Sequence, residues 1–356
     1  MTNFLIPPDL HRSYSVCADW LELLAFVRAS GLATDGDVIQ PNDILEDRAT
    51  LPPEDAISTI QEDRDIIDQG IENALAAIYD EINTRATTLQ SAYPFVVEFG
   101  KRSLKISVAA KPDDPLIANG HTVYHACLLM SALRSGLIDA KAAGIQTDPV
   151  IGNLFQICAT VAAAGYVGGD AYWFGHPRPD QTPLLDAVKT LASHLQAVSS
   201  PYRPPGETKF AKDGGIDVVA WRDHRDGRPA KLILYGQCAS GLNWESKPVQ
   251  QKVHRLDSYY IRPPSKNWLP ALLVPFPIYM DKENSNELRT EEARISHYRI
   301  IESEMGIIID RLRIVCWFIE GLRNPQPAMS KAIERMNEIL EWRDRTHALM
   351  TSSNIT

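Results

Sequence analysis

The stretch Lys-Phe-Ala-Lys-Asp-Gly-Gly-Ile-Asp-Val-Val-Ala-Trp (209–221), followed after a charged loop by Lys-Leu-Ile-Leu-Tyr-Gly-Gln-Cys-Ala-Ser-Gly (231–241), decides the fold. Two β-rich runs flanking Asp226-Gly227 predict an antiparallel hairpin. Asp217 and Gln237 lie ten residues either side of Gly227. A hairpin centred there sets them opposite each other, to within one or two residues of register. Alternation puts Asp217, Val219 and Trp221 on one side of their strand, and Ile233, Tyr235 and Gln237 on one side of the partner. A carboxylate and an amide oxygen held side by side on strands suit a hard divalent cation. An Asp that follows Gly-Gly also serves as a plain turn residue opening a strand, and spacing alone leaves both readings open.

Asp213-Gly-Gly-Ile-Asp217-Val-Val-Ala followed by Gly236-Gln237-Cys238 resembles the core of the PD-(D/E)XK, or restriction-endonuclease-like, nuclease superfamily, in its Mrr-like branch. The resemblance covers roughly residues 149–277. It implies an α+β fold, with a restriction-endonuclease-like mixed sheet flanked by helices. It implies Asp217 and Gln237 as ligands of Mg²⁺ or Mn²⁺, and DNA as substrate. The branch's lysine two residues past the Gln is Ala239 here, so Lys247, in Asn243-Trp244-Glu-Ser-Lys247, becomes the candidate for the water-assisting role. The superfamily's helical Glu maps to Gln156 on a helix expected over 149–164. Members of this branch serve restriction and anti-phage defence, which implies that context, with further subunits or self-association.

Working outward, the organisation reads as a mainly helical region (1–146), an α/β core (147–284) and a helical tail (285–356) packing on the core. Helices are expected over 15–30, 54–90 (one long or two shorter), 121–135, 183–197, 287–321 and 330–350. Strands are expected at 95–99, 103–108, 171–174, 216–221, 231–238 and 272–276.

Charge is uneven. The 36 Lys and Arg against 45 Asp and Glu give a net −9, which is unhelpful for gripping nucleic acid. Between Pro201 and Arg262 the balance reverses, with eleven basic residues against seven acids. Lys209, Lys212, Arg222, Arg225 and Arg228 are the expected DNA contacts, with Arg178 a further phosphate candidate. The acidic stretch 35–81 reads as a solvated helical face.

Five scattered cysteines, none in C-x-x-C, argue against a disulfide framework or a thiolate zinc site. No run of eighteen uninterrupted apolar residues exists, and the first residues lack the pattern of a secretory signal, so a cytoplasmic protein without a membrane span is expected. His121 and His125 stand at metal-compatible i, i+4 spacing without a third ligand nearby. The resemblance thus implies a metal-dependent endonuclease. Alternatives are a nuclease-like module that binds nucleic acid or a partner without cutting, and a helical interaction subunit using its acidic stretch.

Overall fold

The first hundred and thirty residues build helices around a small sheet. A computed structural model describes residues 4–10, 13–39, 56–100, 103–147, 149–206, 212–224, 226–229, 231–241, 244, 248–278 and 291–352. Helix α1 spans Tyr14–Val27, strand β1 Leu32–Thr34 and helix α2 Ala56–Leu89, a single long helix. Strands β2 (Phe95–Phe99) and β3 (Leu104–Val108) form the expected hairpin, and β1 adds to β3 on its other side. Helix α3 (Pro115–Ser135) has Pro115 in its first turn. The Asp114 carboxylate accepts from the Leu116 N–H at 2.8 Å, and left-handed Gly136 ends the helix.

Beyond these lie α4 (Val150–Val167), β4 (Asp170–Trp173), α5 (Leu184–Leu195), β5 (Val198–Ser199), β6 (Val218–Arg222), β7 (Leu232–Cys238), α6 (Val249–Asp257), β8 (Tyr260–Arg262) and β9 (Trp268–Leu273). The chain continues through α7 (Glu291–Met305), β10 (Ile307–Ile309), α8 (Arg311–Arg323), α9 (Ser330–Glu334) and α10 (Met336–Ser352). The fold is α+β. Its central sheet runs β10-β9-β7-β6-β4 and is mixed: β6 is antiparallel to both β4 and β7, whereas β7, β9 and β10 are parallel.

Strand alternation separates two cores. Val218, Ala220 and Leu234 join a cluster with α4, while Val219, Trp221, Ile233 and Tyr235 join Leu191 of α5 and Val253 of α6. Helix α4 is long and apolar enough, by length and composition alone, to cross a membrane, yet most of it is buried between the sheet and α8. Glycines let α4 and α8 approach closely. A Cβ on Gly165 would strike the Trp317 carbonyl, and one on Gly321 the Val161 carbonyl.

The tail is not purely helical, contrary to the sequence expectation. Gly306, at φ +87°, ends α7, three β-branched isoleucines pair with β9, and Asp310 caps α8 by accepting from the Arg313 N–H. The tail therefore supplies an edge strand of the central sheet. One apolar cluster also takes Leu24, Ile78 and Leu128, then Phe155 and Leu234, then Val315 and Ile339. The boundaries expected near 146 and 284 mark no break in this core.

Within this core sits a charged network. Arg311 of α8 makes two 2.8 Å bonds to Asp19 of α1. Arg85 of α2 bridges Asp19 at 2.7 Å, Glu22 at 2.9 Å and Glu81 at 2.6 Å. Tyr93 and Tyr124 donate to Glu22 at 2.7 and 2.8 Å. Burial, with Asp19 and Glu22 beside it, pushes Glu81 up to about 7 against the pull of Arg85. A raised carboxyl binds its proton more tightly folded than unfolded, so this group's contribution to stability falls as pH climbs from 4.5 to about 7. Replacing Glu81 with Gln should flatten that dependence, read as urea midpoints at about pH 5 and pH 8. An unchanged pH dependence in the variant would refute it.

Candidate functional site

The strand ends that carry Trp173, Asp217, Cys238 and Leu273 lie together at one edge of the central sheet. The register there pairs Val218 with Gly236, the pairing expected from symmetry about Gly227. Asp217 stands just ahead of β6, and its N–H donates to the Gly236 carbonyl at 2.9 Å. Its own carbonyl accepts from both Phe174 and Gly175, at 2.9 and 2.7 Å. Asp217 Oδ2 accepts from the Cys238 N–H at 2.7 Å. The carboxylate is thus anchored by one oxygen to the neighbouring strand.

Its other oxygen meets Gln156. A Cβ built on Gly175 would lie within 3.0 Å of both Gln156 Oε1 and Asp217 Oδ1, so these oxygens converge on the space that glycine leaves open. Gln156 projects from α4, is only 6% exposed, and accepts from Trp173 Nε1 at 2.5 Å. The structure therefore brings two of the expected residues together, one from the helix and one from the hairpin. Gln237 is their neighbour in the ladder, at 8% exposure, and its Oε1 is buried without a hydrogen-bond partner. It shares its side of β7 with Ile233 and Tyr235 and makes no hydrogen bond to Asp217 or Gln156. The oxygens that converge are one carboxylate and one amide. Such hard oxygens suit Mg²⁺ or Mn²⁺, although with a single full charge.

No family model, curated protein or solved structure matches this chain.

The remaining expected residues scatter. Lys247, Lys209 and Arg225 lie outside the described residues. Ala239, where the branch carries its lysine, is fully buried among Trp244, Leu272, Val274 and Phe276, an apolar setting that would strand an ammonium. Lys231 donates to the His194 carbonyl at 2.6 Å and pairs with Asp223, far along the strand from the site. Arg178 is corrected from a phosphate contact to a loop clamp. It is 3% exposed, and its guanidinium donates to the Thr182 and Lys212 carbonyls at 3.0 and 2.8 Å. Arg222 and Arg228 are exposed but belong to the far end of the hairpin. The five-residue run of β6 puts Arg222 about 17 Å from Asp217. Arg228 pairs with Asp226 at 3.5 Å. Of the basic group, Lys212 alone among the described residues lies near the carboxylate in sequence, five residues upstream in an exposed position.

The histidine pair on α3 is structural in its contacts. His121 Nε2 lies 2.9 Å from the Ser91 carbonyl oxygen, and His125 stacks on Phe26 at 4.3 Å between ring centres. Burial holds both below the ordinary histidine range. Among the described residues no group of three or more His, Cys, Asp or Glu gathers as a metal cluster.

Sequence reading missed Lys252 and His176. Gly215, at φ +87°, makes room for the aliphatic stem of Lys252 from α6, whose Cδ would sit 2.9 Å from a Cβ there. His176 follows Gly175 and is exposed, with its N–H donating to Asp213 Oδ2 at 3.1 Å. The signal for Lys252 was present in Pro248, which opens a helix with a lysine on its second turn.

Proposed function

We propose that the chain is a divalent-metal-dependent DNA endonuclease, or a nuclease subunit, of the restriction-endonuclease-like type, acting in the cytoplasm in defence against foreign DNA. The observation that carries the reading is the convergence of Gln156 Oε1 and Asp217 Oδ1 on the space left by Gly175. Support also comes from a mixed sheet whose antiparallel hairpin carries Asp217 and, on the next strand, a buried Gln237 with an unpartnered oxygen.

Asp217, Gln156 and Gln237 would hold the cation, which when bound supplies polarisation of the phosphoryl oxygen and a lowered pKa of attacking water. Asp217 brings the one full negative charge and is held in place by the Cys238 N–H. Gln156 is oriented by Trp173, leaving its amide oxygen toward Asp217. These fixed groups on helix and strand need little rearrangement when a phosphodiester arrives.

Gln156→Glu is the direct test. Glutamate preserves an acceptor for Trp173 Nε1 and adds the charge the site lacks, so Mn²⁺ should bind about tenfold more tightly or better by calorimetry. Plasmid nicking in Mg²⁺ or Mn²⁺ should rise with it. Equal affinity in parent and variant would remove the cation from this site. A second reading, a nuclease-like module that binds without cutting, is favoured by the apolar surroundings of Ala239. It takes precedence if neither parent nor Gln156→Glu nicks DNA. The third reading rests on the acidic stretch, whose residues 40–55 lie outside the described residues.

A further inference from the structure

The loop leading into Asp217 is flanked by basic groups that the tip of the hairpin does not supply. Lys252 lies across Gly215, two residues before Asp217, with Cδ and Cε at 2.9 and 3.1 Å from where a Cβ would stand. Any side chain at 215 would evict that stem, and the left-handed backbone there also favours glycine. The Lys252 ammonium, at the end of a half-buried stem, has no ion-pair partner among the described residues. Arg255, one turn on at i+3, shares this flank of α6 and is exposed. The helix buries Val249, Val253 and Leu256 and turns Gln250, Gln251, His254 and Arg255 outward, with no acid before Asp257.

Across from α6, the 212–215 loop is tied to the segment after β4. Asp213 accepts from the Gly215 N–H at 2.9 Å and from the His176 N–H at 3.1 Å, so its carboxylate is taken up by backbone. Lys212 is exposed on this loop. Burial and the neighbouring Lys212 keep His176 below the ordinary histidine range, so at neutral pH it offers a hydrogen bond and no charge. Lys212, Lys252 and Arg255 therefore supply three cations to the segment that carries Asp213 and Asp217, in a chain whose net charge is −9.

We propose that the Lys252–Arg255 flank of α6, with Lys212 on the loop that leads into Gly215, is the surface that seats the sugar-phosphate backbone of DNA beside Asp217, and that the hairpin tip with Arg222 and Arg228 is not. This inference rests on the nuclease reading for its choice of polyanion. Phosphates held there neutralise ammonium and guanidinium groups and release counterions, which makes the contact measurable through salt.

The experiment compares binding of a short fluorescent DNA duplex in EDTA across a salt series. The variants are Lys252→Glu/Arg255→Glu, the milder Lys252→Gln/Arg255→Gln, and Arg222→Ala/Arg228→Ala, each checked for an unchanged melting temperature. The α6 variants should lose about tenfold or more in affinity, and the log–log salt slope should shrink by about two. The tip variant should stay within about twofold of the parent. Unchanged binding by the well-folded glutamine variant, or a larger loss at the tip, overturns the assignment. A parent that binds heparin but no DNA overturns it as well. Because EDTA removes any need for turnover, the two ideas separate. Binding through α6 without cleavage in Mn²⁺ leaves this surface standing and removes the nuclease. Cleavage with α6 variants binding normally removes the surface alone.

Discussion

Asp217→Asn is expected to abolish cleavage while leaving DNA binding intact or tighter. The substitution keeps shape, but its consequences are fixed by the surrounding bonds. The Cys238 N–H, 2.7 Å from Oδ2, demands an acceptor, so the asparagine must turn its carbonyl that way. Its NH₂ then occupies the Oδ1 position beside Gln156 Oε1, where a donor replaces a ligand oxygen. Charge and ligand atom are lost together, and nicking in Mg²⁺ should fall at least about a hundredfold. Removing a carboxylate from a phosphate-facing edge should not weaken affinity measured in EDTA. If Asp217→Asn nicks plasmid as fast as the parent, the nuclease assignment is lost.

The largest expected effect on stability lies elsewhere. Asp19→Ala should cost about 3–5 kcal/mol, because it leaves the buried guanidiniums of Arg311 and Arg85 each short of a partner. Burial alone would raise the Asp19 carboxyl, yet Arg311 and Arg85 hold it down at about 2, so it is charged at every ordinary pH. A thermal midpoint lower by roughly 5 °C is expected for a chain of this size. Asp19→Asn combined with Arg311→Met should lose less than the two single changes together, since the partners fail as a unit. A midpoint for Asp19→Ala equal to the parent's would show that the network contributes nothing to stability.

The hairpin was legible because its signals agree. Alternating apolar residues, Asp226-Gly227 at the tip and symmetry about Gly227 all give the register observed between Val218 and Gly236. Gln156 was reachable only through a family pattern, since a single Gln on an apolar helix carries no periodic signal. Strand β10 was hidden because Ile307–Ile309 sits between two helical patterns. Gly306 and Asp310, the end of one helix and the cap of the next, were the local clues. Asp19 and Glu22 are acids in an otherwise apolar helix, and their partners Arg85 and Arg311, far along the chain, are what place them in the core. Close approaches at Gly175 and Gly215 are likewise invisible in one dimension, because the atoms that fill those spaces belong to other elements. The basic residues between 201 and 262 read as one patch, yet the strands carry Arg222 and Lys212 to opposite ends of the hairpin.

The Asp19–Arg311 pair also sets a clock on biosynthesis. The two residues are 292 positions apart. A ribosome adding about 5–20 residues per second therefore separates their appearance by roughly 15 to 60 s. Through that interval α1 carries two acids that cannot enter a dry core without their second arginine, and the central sheet lacks its β10 edge. The nascent chain must hold its apolar α1 and α4 surfaces without their final covering until the last helices emerge. Such a chain is a natural client for a holding chaperone until Arg311 has emerged, and its core closes late.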